Sequence, residues 1–138
     1  SEYEDKPKAI VVTNAIPMSN FDDCAACIMA GGVVAWAHDK IPSGKKDRHG
    51  FSVQLKKAGG HSVAGRSVRF NPDGCSYDNS WDDDWAQGPN FPDDQPPGSV
   101  WMPREWVDDF CRNGDTWGLF GIAGLQPMDP AISTAYLM

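Results

Sequence analysis

Three histidines, His38, His49 and His61, are the side chains of this sequence suited to exchange protons near neutral pH. Asp39 follows His38 directly, and Asp47 lies just before His49. A histidine paired with a carboxylate, either of these or one from the acidic stretch described below, is a starting point for hydrolysis or ribonuclease-like cleavage. Against that, His49 and His61 fall in basic, glycine-flanked stretches of the kind that form solvated turns. No spacing fixes the three rings relative to one another. The patterns G-x-S-x-G and H-E-x-x-H and a phosphate-binding P-loop are missing. A small hydrolase using His and Asp is therefore the second expectation, behind a binding role.

A denser concentration of chemistry lies in residues 71–101, NPDGCSYDNSWDDDWAQGPNFPDDQPPGSVW, with seven aspartates and no Lys or Arg. Those seven charges equal the net charge of −7 of the whole chain. The same stretch carries Tyr77, Trp81, Trp85, Phe91 and Trp101. Indole and phenol faces stack on sugar rings and carboxylates accept from sugar hydroxyls, so Tyr77, Trp81, Asp82, Asp83, Asp84, Trp85 and Trp101 are the candidate ligand-binding residues. The expected partner is a cell-surface or cell-wall glycan or a host receptor. Tryptophans also settle into lipid headgroup layers, but an anionic surface would repel this many carboxylates. A third expectation is Ca²⁺ held by Asp78, Asp82, Asp83, Asp84, Asp93 and Asp94, since hard cations take several oxygens from a loop. The spacing matches no EF-hand, and no cofactor is otherwise expected. The competing bland account is a solvated acidic loop facing residues 40–69, which hold eight basic residues against one acidic.

Four cysteines fit two disulfides and an oxidising compartment. Cys24-Ala-Ala-Cys27 has C-x-x-C spacing but lacks the strand–helix–strand setting of a redox site, and Cys75 and Cys111 lie too far apart to complete a zinc site. Cys24 and Cys27 bonded to Cys75 and Cys111, in either order, is the preferred pairing. A local Cys24–Cys27 bridge with Cys75–Cys111 is the alternative.

The length suits one domain, residues 1–138, with a real core. No apolar run is long enough to span a bilayer. The chain begins at Ser1 without an apolar leader, as a mature secreted protein would, though a shortened chain would look the same. No N-glycosylation sequon adds support. The acidic balance argues against nucleic acid as a partner. A secreted monomer is expected.

The elements that must position these groups read mostly as strands. Residues 9–13 are a β-branched run and residues 14–18 a connection; 33–37 and 116–123 are further strands. Residues 51–55 alternate as a half-buried strand, 56–60 read as a hairpin loop, and 62–70 as a second strand with a bulge near Gly65. Asn71-Pro-Asp-Gly74 has the composition of a type I turn. Residues 99–102 read as a strand after the acidic loop. Helices are expected over 19–32, capped by Ser19 and ended at Gly31, and over 103–112, opened by Pro103 and ended at Gly114. Trp106, Val107, Phe110 and Cys111 form the buried face of the second. The expected class is mainly β, an antiparallel sandwich or barrel with one or two short helices.

The runs Ala9-Ile-Val-Val-Thr-Asn14, Val34-Ala-Trp-Ala37, Ile41-Pro-Ser-Gly-Lys-Lys46 into Phe51-Ser-Val53, Ala64-Gly-Arg-Ser-Val-Arg-Phe70 and Asp73-Gly74 resemble the opening strands of thaumatin-like proteins. The resemblance covers the first half of the chain. It implies a secreted defence- or virulence-type protein, such as a small fungal elicitor or a toxin, with an acidic cleft that meets glycans. The Thr-Gly-Asp-Cys core of that family is absent, and no catalytic residue is carried over.

Overall fold

A computed structural model describes residues 11–79, 86 and 98–123. The fold is mainly β, as expected, with two short helices. Among the described residues, seven strands form one antiparallel sheet: β1 (Val11–Pro17), β2 (Val33–Pro42), β3 (Leu55–Gly65), β4 (Val68–Arg69), β5 (Gly74–Asp78), β6 (Ser99–Pro103) and β7 (Asp115–Ala123). The order is β1-β7-β2-β3-β5-β4, with β6 on the other edge of β5. Helix α1 (Phe21–Met29) follows β1, and α2 (Arg104–Asn113) follows β6.

Alternation decides which face of the sheet is covered. On β2, Val34, Trp36 and His38 are buried while Val33, Ala35 and Ala37 are half-exposed. The buried face meets Phe21, Cys24 and Ile28 of α1 and Val107 and Phe110 of α2, with Tyr77, Val100 and Met102 from β5 and β6. Phe110 stands edge-on to Trp36 at 5.9 Å and to Tyr77 at 6.2 Å between centroids. Such aromatic pairs add about 0.5–1.5 kcal/mol each beyond burial.

The helices begin and end for local reasons. Asn20, not Ser19, caps α1 by accepting from the Asp23 amide at 2.9 Å, and Asp23 accepts from the Ser19 amide at 3.0 Å. Pro103 precedes α2 in extended conformation and Gly114 follows it. Trp106 and Cys111, expected on its covered face, are half-buried, while Val107 and Phe110 are buried.

Several expectations are corrected. β1 continues through Pro17 instead of yielding to a connection at Asn14. Residues 51–55 are not a strand of their own: Phe51 and Ser52 make isolated bridges to Trp101 and Lys46. Residues 56–60 are not a hairpin loop either. They lie inside β3, where Lys56 and Lys57 pair with Ile41 and Lys40, and an irregularity between His38 and Lys40 absorbs the glycines. In place of the bulge expected near Gly65 within one strand, β3 ends at Gly65 and a separate strand, β4, begins at Val68. Residues 70–73 form a turn, in which the Asn71–Pro72 peptide bond is cis. The segment taken as one loop from 71 to 101 has strand β5 at one end and most of β6 at the other.

Candidate active site: a histidine–asparagine pair

The three histidines have separate fates. His38 is buried between two carboxylates, with Asp39 2.7 Å from Nδ1 and Asp109 3.1 Å from Nε2. Its ring lies edge-on to Phe110 at 4.7 Å. This is a fastener between β2 and α2, not an open site. Asp109 also accepts from Asn113 at 2.6 Å and faces Lys40 at 3.5 Å. Burial alone would raise the Asp109 carboxyl, but the Asn113 and His38 hydrogen bonds and the Lys40 charge outweigh it and hold the group low. His49 sits in a turn closed by Asp47, which accepts from the His49 amide at 2.8 Å. Its carbonyl takes a hydrogen bond from Arg69 at 2.7 Å.

His61 is different. It is half-buried on β3, opposite His38 across the β2–β3 ladder. Its Nε2 lies 3.4 Å from Oδ1 of Asn79, which is 7% exposed. The strands explain the meeting. Ala64 pairs with Asp78 at the end of β5, which brings the next residue, Asn79, alongside β3 within reach of His61.

Asn79 is held from beneath by its neighbour. Asp78 Oδ2 accepts from the Arg66 amide at 3.1 Å, from Arg66 Nε at 3.4 Å and from Ser76 Oγ at 3.2 Å. Asp78 Oδ1 accepts from Ser99 Oγ at 2.8 Å. One carboxylate thus joins β5, β6 and the β3–β4 connection at the residue before Asn79. Gly65 allows the other support. A Cβ there would stand 2.5 Å from the Trp36 Nε1, which donates to the Ser76 carbonyl at 3.0 Å.

An amide oxygen only accepts, so the hydrogen bond to Asn79 places a proton on Nε2 of His61, and in the neutral ring the lone pair is then on Nδ1. Orientation of a histidine by a third group is one feature of the general bases of nucleophilic hydrolysis. The 3.4 Å separation is long for a strong bond.

No family model matches the sequence, and no curated protein matches it. Among solved structures, the fold is similar to the crystal structure of xylellain, a cysteine protease from Xylella fastidiosa, with a TM-score of 0.54 and 14% identity. The match covers 83% of this chain and 41% of that one. It is a likeness of fold. The chain spans less than half the length of that protease.

The other expected site residues fall as follows. Trp81, Asp82, Asp83, Asp84 and Trp85 lie outside the described residues, as do Asp93 and Asp94. Tyr77 and Trp101 are each 1% exposed, so the protein itself covers the faces that were to meet a ligand. Burial raises the Tyr77 phenol. Asp78, a candidate Ca²⁺ ligand, is instead occupied by Arg66, Ser76 and Ser99. The four cysteines are free thiols, and the Cys24 and Cys111 sulfurs stand 3.7 Å apart. Asn79 was not among the residues singled out from sequence. It carries no charge and sits within an acidic run, so charge counting passes over it.

Proposed function

We propose that this domain supplies the general-base side of a cysteine-protease-like hydrolytic site, with His61 as base and Asn79 as the residue that orients it. The pairing of His61 on β3 with Asn79, the residue after β5, carries this proposal, and the fold likeness to part of a cysteine protease supports it. The chemistry is consistent. Asn79 is neutral, so it steers the ring without adding a negative charge to stabilise an imidazolium. That arrangement suits a thiol nucleophile, which is far more acidic than a hydroxyl and gives up its proton more readily. Cys-His-Asn sets of this kind occur in papain-like proteases.

The thiol is expected from another polypeptide segment docking beside His61. Cys24, Cys27 and Cys75 are at most 2% exposed, Cys111 faces Cys24, and the sequence has no fifth cysteine. In the hydrolytic cycle, Nδ1 of His61 takes the thiol proton and returns it to the leaving amine, while Asn79 holds the ring through Nε2.

The test is peptide hydrolysis by the protein produced in its native cells, assayed in reducing buffer on fluorogenic peptides. The expected result is turnover blocked by iodoacetamide and lowered about 10²- to 10⁴-fold by His61→Ala, the range for loss of a general base. Absence of thiol-dependent hydrolysis, or turnover undiminished in His61→Ala, would contradict the proposal.

A further inference from the structure

We infer that Cys24 and Cys111 form a redox-reversible disulfide that locks α1 to α2, while Cys27 and Cys75 stay reduced. This does not depend on the hydrolase proposal. The two sulfurs lie 3.7 Å apart although their residues are 87 positions apart in sequence. Independent contacts fix the helices in this alignment. The Phe21 amide donates to Asp108 at 2.8 Å. Arg104 bridges Asp22 at 3.0 Å and Asp73 at 2.9 Å while its guanidinium stacks 4.5 Å above the Phe21 ring. With the helix ends pinned, the two sulfurs stay neighbours, and bond formation draws them from 3.7 Å to about 2.05 Å.

The two thiols are unequal in a way that orders the chemistry. Cys24 is fully buried, and its thiol is pushed up first by the contact with Cys111 and then by burial. Cys111 is half-buried, and the same contact favours its thiolate. Cys111 is therefore the sulfur that an external disulfide meets first. Its thiolate attacks a small-molecule disulfide such as glutathione disulfide. A mixed disulfide forms and one glutathione thiolate leaves. Cys24 then loses its proton to that thiolate and attacks the Cys111 sulfur, and the second glutathione leaves as thiolate. Two protein thiols are oxidised, and one glutathione disulfide is reduced to two glutathione molecules.

The other cysteines lack this geometry. Cys27 lies 3.8 Å from the Val33 carbonyl, and burial raises its thiol. Cys75 is fully covered on β5, and burial raises it further. Neither offers an exposed thiolate.

The full chain is incubated with glutathione disulfide, denatured, alkylated with iodoacetamide and mapped by mass spectrometry. The expected product has lost the mass of two hydrogen atoms, has two alkylated cysteines, Cys27 and Cys75, and yields one cross-linked peptide joining Cys24 to Cys111. Its melting temperature is higher than that of the reduced protein by on the order of 10 °C, because the bond closes a long loop. Cys111→Ser loses both the cross-link and the shift. Four alkylated cysteines in the treated chain, or a cross-link through Cys27 or Cys75, would overturn the inference. The peptide map on the unaltered chain decides this even where the variant fails to fold.

Discussion

At the scale of single residues, two histidines that look alike in sequence do opposite work. His38 lies between Asp39 and Asp109 against Phe110 and fastens β2 to α2. His61, directly across the ladder, turns one nitrogen to a neutral amide. Titratable types were legible in the sequence, and the histidine–carboxylate pairing expected for His38 with Asp39 is present. The partner of His61 was not legible. It is an asparagine 18 positions along the chain, just beyond β5, and the pairing of β3 with β5 brings the two together. Asp109 supports a prediction at this scale. Its carboxyl is held low in the folded protein, so the folded state binds the proton less readily than the unfolded chain. That stability is present above the unfolded value of about 3.9 and is lost as pH falls through the folded value. Urea midpoints measured from neutral to acid pH are expected to fall for the parent below about pH 4. Asp109→Asn is expected to start lower at neutral pH and to fall less steeply, so the two curves converge in acid. Parallel curves would contradict this.

At the scale of elements, the helices and most strands were legible because capping residues and apolar period mark them locally. The β3 assignment failed for a physical reason. Gly59 and Gly60 look like a turn, but β3 pairs with β2 on both sides of them, and the register shift between His38 and Lys40 takes up the unpaired glycines. Gly65 is one of the glycines with no room for a Cβ. It lets Trp36 pack beneath the strand and donate to Ser76, close to where β5 presents Asn79. Gly65→Ala would force a Cβ to 2.5 Å from the indole nitrogen and 2.7 Å from the Ser76 carbonyl. Overpacking of this kind costs about 1–3 kcal/mol, read as a lower urea midpoint. Gly60→Ala, with nothing within 4 Å of the added carbon, is expected to leave the midpoint within about 0.5 kcal/mol of the parent. Equal effects at the two positions would refute the packing account.

At the scale of the whole molecule, the curled sheet gathers chemistry that the linear chain scatters. β3 and β5 bring His61 to Asn79, and α1 and α2 bring Cys24 to Cys111. The mainly-β class was legible because alternation and turn residues are local signals. The site was not, because the charge-rich segment drew attention to its carboxylates and away from the uncharged residue at the end of β5. The measurement that tests the central claim most directly is the long-range proton–nitrogen NMR spectrum of the histidine rings at alkaline pH, where imidazoles are neutral. The Asn79 amide oxygen is predicted to hold His61 as a single tautomer, protonated at Nε2 with the lone pair on Nδ1, and Asn79→Leu is predicted to release it to a mixture. A mixed tautomer in the parent protein, or a proton on Nδ1, would contradict the assignment of His61 as an oriented base.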